Sequence, residues 1–179
     1  MNISQPLKAN KIDLEHTDPI LIKIAEYVHN DNIISEEAFE TAKICLLDSL
    51  ACAMLALKEE RCLRLLGPTI TGTTVPNGIP VPGTDFKLDP IKATFDMGAC
   101  IRWLDYNDTW LAKEWGHPSD NIAGILAVSD FVNKKNKENN SQKNEGNDTN
   151  KKITLDYVLH SIIKAYEIQG ILALDNSFN

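Results

Sequence analysis

The sequence predicts an all-α fold, and three observations support this prediction. Apolar residues recur at helical spacing in five segments of the 179-residue chain. Two of these segments open with the dipeptide Asp-Pro, which combines an N-cap residue with the residue favoured at the first helical position. No convincing series of alternating apolar and polar residues predicts a sheet in competition with the helices.

The first two helices are predicted close to the N-terminal end. Asp18 and Pro19 start the first, which continues through about Val28, and Ser35 starts the second. Small residues at helical spacing give the second helix a face that favours close packing against another helix. They are Ala38, Ala42, Cys45, Ser49 and Ala53.

Three further helices are predicted in the rest of the chain. The third starts at Asp89-Pro90 and ends near Leu104, the fourth runs from an N-cap at Ser119 to about Val132, and the fifth begins near Leu155. Each apolar stripe is expected to be buried. These stripes are Ile91, Phe95, Gly98, Ile101 and Leu104 in the third helix, and Leu155, Leu159, Ile162, Ile163 and Tyr166 in the fifth.

Two segments interrupt the helices. Residues 67–90 hold four glycines and five prolines, which predicts a long ordered loop with short extended pieces. Residues 133–152 contain seven Asn, six Lys and no apolar side chain, so we expect a disordered insertion. The resulting domain prediction is a flexible N-terminus over residues 1–17 and one helical domain over residues 18–179, interrupted by this insertion.

The net charge argues against nucleic acid and anionic membranes as partners. It is −7 for the whole chain, and the lysines of the insertion have no arginine or aromatic companions. The most apolar run, residues 44–57, is too short to span a bilayer and includes Asp48. The first residues have no apolar core typical of a secretory signal. We therefore expect no membrane association.

The four cysteines show neither a CxxC pair nor zinc-like spacing. We expect reduced, structural thiols in a reducing compartment, and no metal bound by these cysteines. An iron–sulfur site is a minor alternative that the spacing does not support. The cysteines are Cys45, Cys52, Cys62 and Cys100.

All three tryptophans lie in residues 103–121, interleaved with titratable side chains. Such a mixture is typical of a cleft, which is mostly apolar with a few placed polar groups. Asp105 is expected at a helix C-terminus, where the dipole disfavours an anion, and His117 just before a helix whose free N–H groups could receive a carboxylate. Thr109 adds a hydroxyl, and Arg102 and Lys113 add positive charge. These residues predict an anion-binding acid–base cluster.

A structural interpretation of the same residues is about equally well supported by their chemistry. Asp108 and Asp120 suit loop and cap positions, and Ser119 suits an N-cap rather than a nucleophile, because no GxSxG turn precedes it. A single loop histidine such as His117 is often a hydrogen-bonded structural group. Metal binding by His117 and the aspartates lacks any familiar ligand spacing.

The stretch RWLDYNDTWLAKEWGHPSDN, followed by GILAVSDF, resembles the MmgE/PrpD family. The similarity extends through CLLDSLACAMLAL, LLGPTITGTTVPNGIPVPGTDFKLDP and AYEIQGILALDNSFN. It covers nearly the whole chain from about residue 20, apart from the Asn/Lys-rich segment. The resemblance implies a helical domain that the family joins to a smaller α+β lid domain, absent here. It also implies a mechanism without a metal or an organic cofactor.

The resemblance also implies an activity and site residues. Dehydratases of the family convert 2-methylcitrate to 2-methyl-cis-aconitate in the methylcitrate cycle. In its cis-aconitate decarboxylases an Asp, a Thr four residues on and a His after a short loop line the pocket, and these roles fall on Asp105, Thr109 and His117. The longer loop between Thr109 and His117 is similar to the dehydratase branch. We expect Asp105 and His117 to be catalytic and Thr109, Arg102 and Lys113 to bind substrate.

Two alternatives remain open: another hydro-lyase or decarboxylase of the family that acts on citrate- or aconitate-like acids, and a non-catalytic helical interaction module. Family chains are more than twice as long, so we expect an N-terminal portion that is inactive alone. At full length we expect a homodimer that binds a small tricarboxylate. We expect it in the cytoplasm, or in the mitochondrial matrix of a eukaryote.

Overall fold

A computed structural model describes residues 17–30, 33–142 and 152–177. The chain divides into two compact units, residues 1–33 and residues 34–179. Helices dominate the described residues, which confirms the all-α prediction, and one pair of very short strands accompanies them. In chain order the elements are α1 (Pro19–Asn30), α2 (Glu36–Ala56), α3 (Glu60–Leu63), β1 (Ile79–Pro80), β2 (Lys87–Leu88), α4 (Pro90–Arg102), a 3-10 helix (Pro118–Asn121), α5 (Ile122–Gln142) and α6 (Leu155–Asp175).

Three of the predicted helix starts are confirmed by their capping hydrogen bonds. The side chains of Asp18, Ser35 and Asp89 accept backbone N–H groups two or three residues further on, at 2.9–3.2 Å. Each bond satisfies a donor that has no partner inside the helix. The Asp-Pro and Ser-Glu-Glu sequences are therefore sufficient to locate the beginnings of α1, α2 and α4.

The buried face of α4 differs from the predicted stripe. Ile91 and Phe95 are 84% and 53% exposed, and Ile101 alone of the predicted set is buried. The physical reason is Asp96, which is fully buried because it accepts the backbone N–H of Gly67 at 2.7 Å and pairs with the ammonium of Lys92. With a satisfied carboxylate in the core, the buried face consists of Ala93, Asp96, Met97, Cys100 and Ile101.

Helices α2, α4, α5 and α6 pack together around this core, with α4 against α2 and α5, and α6 against the same two. The small face of α2 is confirmed at three positions, Ala42, Ser49 and Ala53, whereas Cys45 is only half-buried. In α6, Leu159, Ile162 and Ile163 are buried as predicted. Leu155, at the first position of α6, is instead 62% exposed.

The Gly/Pro-rich loop contains the expected extended pieces. Strands β1 and β2 are antiparallel, with Ile79 opposite Leu88, and both of these side chains are buried. A Cβ at Gly78 would lie 2.7 Å from the carbonyl carbon of Lys87, so the close approach of the two backbone segments requires glycine there. The short helix α3, just before the loop, has no clear signal in the sequence.

The four cysteines are free thiols. Cys62 in α3 and Cys100 in α4 are buried, and their sulfur atoms lie 3.9 Å apart. Burial raises the pKa of the Cys100 thiol to about 12, and the adjacent Cys62 adds to this effect. A thiol that stays protonated at neutral pH is a poor nucleophile and a poor metal ligand, as expected for a structural cysteine.

Helix α5 continues to Gln142, ten residues beyond the predicted end at Val132 and into the segment expected to be disordered. Side chains on this extension make polar contacts with the fold: Lys134 donates to the carbonyl of Gly78 at 2.5 Å, and Glu138 accepts from Asn77 at 2.7 Å. Because these hydrogen bonds need no apolar surface, a composition-based argument misses them. Residues 143–151 lie outside the described residues, so the prediction of disorder is untested there.

Replacing Asn133 with Ala is expected to lower the free energy of unfolding by about 1–3 kcal/mol, the scale of two partly buried hydrogen bonds. The Asn133 side chain donates to the carbonyl of Ile153 at 2.9 Å and accepts its N–H at 2.8 Å, which joins α5 to the segment before α6. Chemical denaturation of the wild-type and variant proteins would measure the change. Asn133→Asp keeps only the acceptor, so its stability should lie between those of the wild type and Asn133→Ala. Equal stability of the wild type and both variants would contradict the prediction.

Helices α2 and α6 leave large apolar side chains exposed. Ile44 and Leu47 of α2 are 66% and 67% exposed, and Ile171 and Leu174 of α6 are 67% and 51% exposed. In each helix the two residues are three positions apart and so share one face, and an exposed apolar face is typical of a surface that other protein covers. None of the described helices combines the length and the apolar character required to cross a membrane.

Candidate active site

The stretch between α4 and α5 folds into a tight loop rather than an extended connection. Trp110 and Gly116 exchange two backbone hydrogen bonds, at 2.8 and 3.1 Å, which close residues 111–115 into a turn. The N–H of Glu114 donates to the carbonyl of Ala173 at 3.1 Å and ties this turn to α6. The loop therefore has a fixed shape on which side chains can be placed.

Asp105 lies just after the end of α4, as predicted. Its φ angle is +56°, and its N–H donates to the carbonyl of Arg102 at 3.2 Å. A left-handed residue commonly ends a helix, but this conformation is unfavourable for most residues with a Cβ. The carboxylate is 70% exposed and forms an ion pair with the guanidinium of Arg102.

His117 is adjacent to Asp105 but almost completely buried, with 8% of its side chain exposed. Its Nδ1 is 2.5 Å from the backbone carbonyl oxygen of Asp108. Its Nε2 has no hydrogen-bond partner among the described residues and lies 3.7 Å from Oδ1 of Asp105. The Trp115 ring stands perpendicular to the imidazole at 5.7 Å between centroids. The histidine is thus held at one nitrogen and faces a carboxylate with the other.

The loop segment that holds His117 is fixed by a second set of polar contacts. The carboxylate of Asp108 accepts the N–H of Ser119 at 3.2 Å, and the buried amide of Asn107 donates to the Ser119 hydroxyl at 2.8 Å. Ser119 lies inside the 3-10 helix that precedes α5, so the predicted N-cap at Ser119 is wrong. The reason is that its hydroxyl is already engaged by Asn107, and Asp108 supplies the acceptor at this helix start.

Arg102 also approaches a second carboxylate. Its Nε lies 4.0 Å from Oδ1 of Asp120. Partial burial raises the pKa of the Asp120 carboxyl above its usual value, against the opposing effects of Arg102 and His117. The guanidinium therefore stands between two carboxylates, and the cluster as a whole is acidic rather than basic.

The structure brings together three of the five predicted site residues: Arg102, Asp105 and His117. Thr109 is exposed on the same loop, and within the described ranges its hydroxyl forms no hydrogen bond with this cluster. The ammonium of Lys113 donates to the carbonyl of Asp175 at 2.9 Å, so it is engaged at the end of α6. Substrate binding by Thr109 and Lys113 stays a prediction.

A neighbouring cavity of about 370 Å³ between α2 and α6 was not predicted. It is lined in part by Cys45, Trp110 and Tyr166, and the indole N–H of Trp110 has no partner in the described part of the chain. Burial and the nearby Asp108 raise the pKa of the Tyr166 hydroxyl. These residues are more than 50 positions apart in sequence, so no local spacing could have associated them.

Comparison with known proteins identifies a matching protein family and similar proteins of named function. The model of the MmgE/PrpD N-terminal domain matches residues 22–179. The chain is 51% identical to the 2-methylcitrate dehydratase of Escherichia coli (strain K12) over 162 residues, which is 90% of this chain and 32% of that protein.

Two fungal relatives extend this comparison. The mitochondrial 2-methylcitrate dehydratase of Yarrowia lipolytica is 49% identical over 164 residues, which is 92% of this chain and 30% of that protein. An alkylcitrate dehydratase from a fungus is 40% identical over 163 residues, which is 90% of this chain and 31% of that protein. The chain thus spans about a third of the length of the curated relatives it matches.

Proposed function

The chain belongs to the MmgE/PrpD family, and from this premise we propose that it forms the N-terminal part of a hydro-lyase that dehydrates 2-methylcitrate to 2-methyl-cis-aconitate. The observation that carries the proposal is identity of about 50% to two 2-methylcitrate dehydratases over at least 90% of the chain. The cluster of Arg102, Asp105 and His117 provides groups suited to proton transfer.

The proposed reaction breaks a C–H bond next to a carboxylate and a C–O bond to a tertiary hydroxyl. The C–H electron pair becomes the new C=C bond, and the hydroxide leaves as water after it takes a proton. We propose that Asp105 and His117 form the acid–base pair of this reaction. Their proximity supports the proposal, because the imidazole Nε2 and the carboxylate Oδ1 are 3.7 Å apart.

The charges of the site bear on how a substrate with three carboxylates is held. Arg102 is shared between Asp105 and Asp120, and Lys113 is bound to a backbone carbonyl. To bind substrate carboxylates, Arg102 and Lys113 would have to exchange these partners. We therefore propose that most of the positive charge comes from the part of the enzyme beyond this chain. The developing negative charge of the transition state requires such groups.

The test is an assay of the full-length protein with 2-methylcitrate, in which the ultraviolet absorbance of the new double bond reports dehydration. Citrate and a 2-alkylcitrate with a longer chain would be compared, because one relative is named an alkylcitrate dehydratase. Release of CO₂ from cis-aconitate would identify a decarboxylase. A protein that binds and converts none of these acids would instead favour a non-catalytic helical module.

We expect activity to survive treatment with a chelator such as EDTA and to need no added metal. The described residues contain no group of three or more His, Cys, Asp or Glu side chains arranged to hold a metal ion. The measurement is the dehydration rate before and after chelation, together with the metal content of the protein. Loss of stoichiometric iron in parallel with activity would contradict the expectation.

We also propose that the full-length protein is a homodimer. Its compartment is proposed to be the cytoplasm, or the mitochondrial matrix in a eukaryote, in keeping with the mitochondrial relative from Yarrowia lipolytica. Sedimentation equilibrium should give twice the mass of the full-length chain. A monomer that is fully active would contradict the dimer proposal.

A further inference from the structure

The C-terminal half of α6 forms the support on which the loop between α4 and α5 packs. The backbone N–H of Glu114 donates to the carbonyl of Ala173 at 3.1 Å. The ammonium of Lys113 donates to the carbonyl of Asp175 at 2.9 Å. Both carbonyls belong to the last turn of α6, where they have no partner inside the helix. The loop therefore caps α6, and α6 in turn fixes the loop.

Trp110 of this loop packs against a glycine of the helix. Gly170 is buried in the interior of α6, a position that is unfavourable for glycine because of its backbone freedom. A Cβ at Gly170 would lie 2.8 Å from Cζ2 and 3.0 Å from Cη2 of the Trp110 indole. In the described part of the chain the indole N–H has no hydrogen-bond partner. Packing against the backbone of α6 therefore holds the ring, and this packing requires a residue without a side chain at position 170.

The position of Trp110 determines where two of the predicted site residues lie. The backbone of Trp110 exchanges hydrogen bonds with that of Gly116, at 2.8 and 3.1 Å. Thr109 directly precedes Trp110, and His117 directly follows Gly116. Because the two paired residues are the neighbours of Thr109 and His117 in the chain, a displacement of the indole would move both of these residues.

Gln169, the neighbour of Gly170 in α6, supports the same arrangement. The amide of Asn121 donates to Oε1 of Gln169 at 2.9 Å, which joins the 3-10 helix to α6. A Cβ at Gly116 would lie 3.0 Å from Nε2 of Gln169, so the loop approaches this side chain closely. Helix α6 thus contacts the chain on both sides of His117.

We propose that Gly170 is a positioning residue for the proposed dehydration. The absence of a side chain at Gly170 allows Trp110 to pack directly on α6, and this packing holds Thr109 and His117 in place. The proposal rests on the proposed dehydratase function, and it assigns no chemical step to Gly170. Since only the space at Gly170 matters, even a methyl group should be enough to displace the indole.

Gly170→Ala in the full-length protein is expected to lower kcat for 2-methylcitrate roughly 10- to 100-fold, the scale of a displacement of about 1 Å in an active site. The melting temperature should also fall, although alanine favours a helix more than glycine does, because the added methyl group overlaps the indole. The matched control is Gly98→Ala in the interior of α4. A Cβ at Gly98 would make an ordinary contact of 3.7 Å with Ala123, so this variant should keep the wild-type kcat.

A shorter ring at position 110 tests whether the effect passes through Trp110. Phenylalanine lacks the outer ring atoms of the indole that a Cβ at Gly170 would meet. In a Trp110→Phe background, Gly170→Ala should therefore change kcat less than about twofold and should not lower the melting temperature. Equal losses of kcat and of melting temperature in both backgrounds would overturn the inference.

Amide hydrogen exchange distinguishes a failure of this inference from a failure of the proposed function. In Gly170→Ala the amides of residues 110–116 should exchange at least about tenfold faster than in the wild type, whereas Gly98→Ala should leave their exchange unchanged. Unchanged exchange in Gly170→Ala, or an unchanged kcat in an active protein, would overturn the inference and leave the proposed function standing. A wild-type protein that dehydrates none of the tested acids would overturn the proposed function, and the exchange rates would still decide whether Gly170 fixes the loop.

Discussion

Replacing Asp105 with Asn in the full-length protein is expected to lower kcat by roughly 10²–10⁴, the usual scale for a group that transfers a proton in the transition state. Asp105 is the more exposed of the two carboxylates near Arg102, at 70% against 52% for Asp120, and it is adjacent to His117. The dehydration assay with 2-methylcitrate would measure the loss. A kcat close to that of the wild type would remove Asp105 from the mechanism.

The choice of substitution matters because the backbone of Asp105 is left-handed, with φ at +56°. Asn tolerates this conformation nearly as well as Asp, so Asp105→Asn removes the charge without adding backbone strain. A matched control is Asp120→Asn, which removes another carboxylate near the same guanidinium. We expect this control to stay within a few-fold of the wild-type kcat, because the proposed acid–base pair consists of Asp105 and His117 and does not include Asp120.

Replacing Asp96 with Ala is expected to lower the free energy of unfolding by about 3–5 kcal/mol, the typical effect of removing one partner from a buried ion pair. The side chain of Asp96 is fully buried, and that of Lys92 is 17% exposed. Without the carboxylate, the Lys92 ammonium and the N–H of Gly67 each lose a partner. At about 2–4 °C per kcal/mol for a domain of this size, the melting temperature should fall by roughly 6–20 °C.

Two controls distinguish this effect from a general loss of charge. Asp96→Asn keeps an acceptor for the N–H of Gly67 and should be less destabilising than Asp96→Ala. Glu60→Gln removes an ion pair with Arg64 in which both side chains are more than 70% exposed, and it should leave the melting temperature almost unchanged. Similar losses in Asp96→Ala and Glu60→Gln would contradict the assignment of Asp96 as a buried anchor.

The sequence predicts the helix starts well and the buried faces less well. The caps at Ser35 and Asp89 are local, so the residues that form them are neighbours in the chain. The buried face of α4 depends on Asp96, whose partner Gly67 lies 29 positions away. The spacing of apolar residues predicted that Phe95 is buried, and it could not predict a carboxylate on the buried face of α4. The spacing of apolar residues along a helix cannot reveal that a polar side chain is buried because of a hydrogen bond to a distant residue.

In the candidate site, too, the sequence predicts which residues take part but not the contacts that position them. The composition of residues 103–121 and the family resemblance led to Asp105 and His117, which the structure places together. The support for His117 could not be predicted, because it depends on the left-handed backbone at Asp105 and on the backbone pairing of Trp110 with Gly116. These are properties of the folded loop, and many sequences with the same residue types would lack them.

The pair of hydrogen bonds between Asn133 and Ile153 has a practical consequence for protein engineering. It joins α5 to the segment before α6 independently of the chain between Gln142 and Lys152, so we expect the rest of the fold to tolerate a longer connection there. The free-energy cost of closing a loop rises by only about 0.6 kcal/mol for each doubling of the loop length. An affinity tag or a fluorescent reporter inserted after Gln142 should therefore leave the helical domain and its candidate site undisturbed.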